Sequence, residues 1–269
     1  MAAATRSMTD HMTTRAKIAT FLYHDVSDNP LESGFQRRSA LAYKQTRDVF
    51  AKHLDRIASS GLTPGRVSDL NFQRPERHVL ITFDDGGRGA LHAAEELNRR
   101  GWKGHFFITT SLLGTSTFLD ASATRYLHSC GHVIGSHSHT HPDIFRALSF
   151  DKMIAEWGQS CDLLSDLLGV PCVTASVPGG DVSRRVFQSA DAAGIQFLFT
   201  SDPFLLPKQE GACRILGRVC PKADIALPDL QKLAEFRGWT REAVRGRVKT
   251  TLKTALFPLY RIYVHYALQ

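Results

Sequence analysis

Five residues in two short segments could do chemistry together. Asp84 and Asp85 stand side by side in HVLITFDDG, residues 78–86, and His137, His139 and His141 alternate in GSHSHTHP, residues 135–142. Adjacent carboxylates at the end of an apolar run are costly to bury unless something neutralises one of them, and a divalent cation is the usual solution. His137 and His141 are four residues apart, so they share a face whether the segment is extended or forms one helical turn. Two imidazoles and one carboxylate, with positions left for water, make an open catalytic metal site. Read alone, the histidine segment is a His-rich surface loop or a set of core histidines. Read with the acidic pair upstream, it is a metal site.

Both segments need a buried strand to deliver them. Residues 79–81 are apolar and rich in β-branched side chains and the run leads on to a glycine pair, which favours a strand over a helix. Strands are also expected at 16–24, 104–109, 132–134, 173–177 and 195–200. Helices are expected at 41–60 (Phe50, Leu54 and Ile57 as its apolar stripe), 89–100, 120–129, 150–168 with Ser149 as N-cap, and 183–193; glycines follow most of them. Strict alternation of strand and helix predicts sequential parallel strands. The chemistry-bearing residues come just after strands, where α/β barrels place catalysis.

TFDDG followed by HSHTH resembles the first two motifs of the polysaccharide deacetylases, carbohydrate esterase family four, also called the NodB-homology family. The similarity runs from Leu22-Tyr23-His24 to about Pro203. It implies an irregular (β/α) barrel of about seven parallel strands. It also implies Asp84 as general base, with Asp85, His137 and His141 as ligands of one divalent metal ion. Zinc is expected first, with cobalt, nickel or manganese as alternatives. LYHDV is similar to the family's opening strand and puts His24 at the edge of the site. Ser176-Val177-Pro178-Gly179-Gly180 stands where the family carries R-x-P-Y/F, so Pro178 fits and the Gly179 N–H is the candidate oxyanion donor. His24, His139, Pro178 and Asp202 are the expected substrate contacts.

Two departures from that pattern matter. The family's arginine, which braces the base, is replaced by Ser176; Arg184 or Arg185 could substitute, although surface charge is the simpler reading of both. The family's L-x-H motif, source of its acid, has no match after Phe199, which leaves His24, His139 or metal-bound water for that role.

The 269 residues carry a formal net charge of +7 and five cysteines. The odd cysteine count without tight spacing predicts reduced thiols. No apolar signal region and no run of eighteen apolar residues is visible, so the expected location is the cytoplasm, with peripheral contact at the inner membrane face. No nucleic-acid motif accompanies the positive charge, so no nucleic-acid partner is expected. Residues 1–15 read as a flexible arm, 16–236 as the barrel and 237–269 as a basic amphipathic tail that could meet a membrane surface or close the barrel. The expected activity is metal-dependent removal of acetyl from an N- or O-acetylated saccharide, such as a lipid- or nucleotide-linked precursor. The rivals are a deformylase or other small-acyl amidohydrolase on a sugar, and a silent saccharide-binding homologue.

Overall fold

A computed structural model describes residues 15–246. Eight strands form one sheet in the order β1-β2-β3-β4-β5-β6-β8-β7. β1 (Lys17–Tyr23), β2 (Arg77–Phe83), β3 (His105–Ile108), β4 (Val133–Ser136), β5 (Thr174–Ser176), β6 (Phe197–Phe199) and β8 (Cys213–Leu216) are parallel neighbours, and β7 (Lys208–Glu210) folds back antiparallel on β8. The chain beyond β8 then reaches β1: Phe21 bridges Val219, and Leu22 N–H donates to the Val219 carbonyl at 2.8 Å. The sheet is thereby closed into a barrel of seven parallel strands, as expected. β1 and β2 are buried along nearly their whole length, the pattern of strands covered on both faces.

The helices form the outer layer. α5 (Phe150–Leu168) begins where its sequence says it should. The Ser149 side chain accepts from Lys152 N–H, and Gly169 ends it in the left-handed conformation. Its Met153, Trp157, Cys161 and Leu164 recur at helical spacing and are buried. α3 (Ala90–Arg99), α4 (Ala121–Ser129, capped by Asp120) and α6 (Arg184–Ala192, capped by Ser183) match their expected positions.

The helix expected over 41–60 is two pieces, α1 (Arg38–Leu41) and α2 (Arg47–Ala58). Gln45 pairs with Val26 as an isolated bridge, so the chain is extended there, and Thr46 caps a fresh start by accepting from Val49 N–H. The stripe Phe50, Leu54 and Ile57 is buried as expected. The β7–β8 hairpin and α7 (Leu227–Ala234) were not anticipated. The barrel core extends to Trp239, which is buried with Phe21. Residues 239–246 are helical; the expected arm before Arg15 and the tail beyond 246 lie outside the described residues. All five cysteines are thiols without disulfides. No described helix is long and apolar enough to cross a membrane.

Candidate active site

The carboxyl ends of β1, β2, β4, β5 and β8 converge on one cavity of about 780 Å³, lined by His24, Asp84, Asp85, His137, His141, Gly179 and Arg218 among others. β2 ends at Phe83, so Asp84 and Asp85 are the first residues past it. β4 ends at Ser136, one residue before His137. This is the barrel face where strand ends from distant parts of the chain meet.

Asp85, His137 and His141 each offer one ligand atom within 4.8 Å of the others. His137 Nε2 lies 3.3 Å and His141 Nε2 3.6 Å from Asp85 Oδ1. Ligands about 2.1 Å from a tetrahedral zinc stand about 3.4 Å apart, so these three donors fit a divalent ion. The backbone is bent to bring them in. Asp85 (φ 76°), Ser138 (φ 62°) and His141 (φ 54°) are three of the four described non-glycine residues with positive φ. Such strain costs about 1–3 kcal/mol per residue and concentrates at functional sites. Burial and the neighbouring His137 push the His141 imidazole down to about 4, so it is neutral and able to ligate at pH 7. The Asp85 carboxyl is subject to burial, which favours its neutral form, but the surrounding histidines outweigh this and hold it well below the usual carboxylate range.

Asp84 is not part of the triad. Its carboxylate, 4% exposed, receives a two-pronged bond from Arg218, with Nη1 2.7 Å from Oδ1 and Nη2 2.8 Å from Oδ2. Ser176 Oγ donates to the same Oδ1 at 3.0 Å. Arg218 is fully buried and is fixed at its other edges by the Thr200 carbonyl (2.8 Å from Nε) and Thr82 Oγ1 (3.1 Å from Nη1). Burial is the largest influence on the Asp84 carboxyl and raises it. The Arg218 guanidinium, then His137 and His24, more than offset this and keep it below its ordinary value. The acid is therefore ionised and able to accept a proton. A carboxylate offers four acceptor sites. Two donors fill Oδ1 and one occupies Oδ2, so among the described residues the open site is on Oδ2.

The bracing arginine thus comes from the segment after β8. Arg184 is 80% exposed on α6 and pairs with Glu210, and Arg185 is exposed, so neither replaces the missing motif residue. Sequence reading missed Arg218 because nothing local distinguishes it. The available signal was a lone arginine just after an apolar segment, at the end of a strand that had itself not been recognised.

Gly179 lines the cavity, and its φ of 61° is one that side-chain-bearing residues avoid. Among the described residues its N–H has no hydrogen-bond partner, whereas Gly180 N–H donates to the Val177 carbonyl. His24 also lines the cavity, against Tyr43. Burial disfavours its charged form. The neighbouring Cys220 sulfur and the proximity of Asp85 and Asp84 favour the charged ring, prevail over burial and raise it to about 9.

The other expected substrate contacts do not line this cavity. His139 turns to Thr110, whose Oγ1 is 3.0 Å from its Nδ1, because the chain bends at Ser138 (φ 62°) and takes His139 off the face that His137 and His141 share. Pro178 is buried as it opens the turn that presents Gly179. Asp202 offers its backbone carbonyl to Arg218 N–H at 3.0 Å.

Comparison with known proteins bears on the fold and the family. Residues 72–198 match the polysaccharide deacetylase family. An uncharacterized 30.6 kDa protein from the fumA 3′ region of Geobacillus stearothermophilus is 24% identical over 217 residues, 77% of either chain. The Streptococcus pyogenes deacetylase PplD in complex with acetate superposes with a TM-score of 0.67 at 19% identity, covering 82% of this chain and 100% of that one. BC0361, a polysaccharide deacetylase from Bacillus cereus, gives 0.68 at 17% identity over 82% of this chain and 69% of its own. IcaB from Ammonifex degensii gives 0.66 at 19% identity over 81% and 97%. These likenesses establish the fold.

Proposed function

We propose that this protein, which belongs to the polysaccharide deacetylase family, is a hydrolase that releases acetate from an N- or O-acetylated saccharide with one divalent metal ion. The observation that carries the proposal is a donor triad, Asp85, His137 and His141, beside a separate ionised carboxylate, Asp84, in one cavity. The triad would hold the ion, zinc first by its mixed imidazole and carboxylate donors, with cobalt, nickel or manganese as alternatives. When bound, the ion supplies Lewis-acid polarisation of the acetyl carbonyl and a water of lowered pKa.

The chain's own residues divide the remaining work. Asp84 accepts a proton from the attacking water at the open site on Oδ2. The water oxygen bonds to the acetyl carbon, and the Gly179 N–H is placed to donate to the developing oxyanion. His24, whose cationic form the nearby Asp85, Asp84 and Cys220 favour, donates its proton to the leaving nitrogen or oxygen as that bond to the acetyl carbon breaks. The products are acetate and the freed amine or hydroxyl. A silent binding homologue is favoured by the missing motif arginine and the missing L-x-H; Arg218 removes the first reason, and the second rests on whether His24 serves as the acid.

The substrate we favour is a lipid- or nucleotide-linked saccharide precursor, handled in the cytoplasm or at the inner membrane face. Away from the Arg218–Asp84 pair and the triad, five Lys and Arg side chains line the cavity against Asp224, Asp229 and Glu242, and that surplus of cations supports an anionic linkage. Acetate release from a panel of acetylated saccharides, with and without chelator and with formylated analogues as competitors, tests the reading. Chelator-sensitive acetate release is expected. Chelator-insensitive release would reject the metal, and preference for formyl groups would reassign the acyl group.

A further inference from the structure

Ser176 stands where an arginine was expected, and its hydroxyl touches both halves of the site. It lies 2.6 Å from His137 Nδ1 and 3.0 Å from Asp84 Oδ1. The same Nδ1 is 3.1 Å from the Ser176 backbone carbonyl.

The directions of these bonds are fixed by what each atom can do. Asp84 carries two charge-assisted bonds from Arg218, so it is ionised and can only accept. The Ser176 hydroxyl has one proton, which goes to Asp84. The contact with His137 must then run the other way, from Nδ1–H to Oγ. The backbone carbonyl, which can only accept, independently requires a proton on Nδ1. His137 is therefore protonated at Nδ1, and its Nε2 faces Asp85 Oδ1 with a lone pair to offer.

We propose that Ser176 is a positioning residue that links the metal triad to the catalytic base: it fixes the tautomer and ring plane of His137 while it orients the Asp84 carboxylate. The inference rests on the metal reading of the triad. β5 places Ser176 beside β4, which delivers His137, and the side chain crosses the barrel interior to Asp84 after β2. A longer side chain here would occupy the space Arg218 fills, because Ser176 and Arg218 contact the same Asp84 oxygen. The small residue on β5 and the arginine after β8 are thus one arrangement. Arginine supplies the charge from one side, and serine supplies the connection to the metal from the other.

Groups that orient a metal-bound imidazole typically contribute 10–100-fold in metal affinity. The backbone carbonyl remains in Ser176→Ala, so the lower end is expected: zinc affinity about tenfold weaker by competition with a chromophoric chelator. Ser176→Thr, which keeps the hydroxyl, should recover most of that loss. A second measurement needs no variant: ¹⁵N histidine spectra of the apo wild-type protein should show His137 protonated at Nδ1. Equal zinc affinity in wild type and Ser176→Ala, or a His137 protonated only at Nε2, would overturn the link while leaving the metal site standing. A wild-type chain that binds no zinc would overturn the metal reading and the inference with it.

Discussion

Each titratable residue around the cavity has a distinct environment, and that separates their expected responses to substitution. Asp84→Asn keeps the triad but cannot take up a proton, so it should retain zinc and lose about 10²–10⁴-fold in turnover. Near wild-type turnover would place the base elsewhere. Arg218→Met should do something different. It leaves a buried carboxylate without its cation, which costs about 3–5 kcal/mol when one partner of a buried pair is removed. The Asp84 carboxyl then rises, so the acidic limb of the pH–rate profile should move to higher pH. The sign for stability comes from the same pair. The folded carboxyl lies below its ordinary 3.8, so the pair stabilises the fold above that pH and ceases to do so as pH falls through the folded value. His24 governs the other limb. With its cation as the proposed donor, activity should fall as pH rises through its pKa, which the acidic neighbours raise above the ordinary 6.5 and a bound metal ion would draw back from about 9. His24→Gln should abolish that limb; an unchanged alkaline limb in the variant would remove His24 from the mechanism.

Elements rather than single residues decide whether these groups meet. β2 and β4 deliver Asp84 and the donor triad directly from their ends, and both were recognisable as apolar runs before polar motifs. The closing segment was not. β8 and residues 217–220 pair with β6 on one side and β1 on the other, and that closure carries Arg218 into the centre. Trp239 anchors the helical turn at 239–246 to the barrel: it packs edge-on against Phe21 at 6.4 Å and donates from Nε1 to the Leu233 carbonyl at 2.9 Å. Trp239→Ala should therefore cost about 3–5 kcal/mol. For a chain of this length that lowers the melting temperature by roughly 10 °C. Gly238 and Arg241 line the cavity, so KM should rise as well. A shift of only a degree or two would mean that this helix is dispensable to the barrel.

For the whole molecule the open question of contact is electrostatic. A net charge of +7, with cations along the cavity, predicts binding to anionic vesicles that weakens with salt, because the screening length falls from about 10 Å at 0.1 M to about 3 Å at 1 M. Sedimentation with and without residues 247–269 measures it; no binding at low salt would remove peripheral membrane contact from the proposal. Much of the architecture was legible beforehand. Periodicity, caps and alternation specify α3, α4, α5 and α6 and the first six strands, because these signals are local and each segment buries one recognisable face. The motifs likewise named Asp84, Asp85, His137 and His141, since neighbours in sequence leave the same strand end together. Arg218 and the double contact of Ser176 were illegible for the opposite reason. Arg218 is 134 residues from Asp84, and Ser176 is 92 away. Nothing in the local pattern distinguishes an arginine that will be buried against a carboxylate from one that will sit in water, as Arg184 does. Only closure of the barrel decides that. It removes water from around the guanidinium, leaves the Asp84 carboxylate as its charge partner, and so turns an ordinary basic residue into the brace of Asp84.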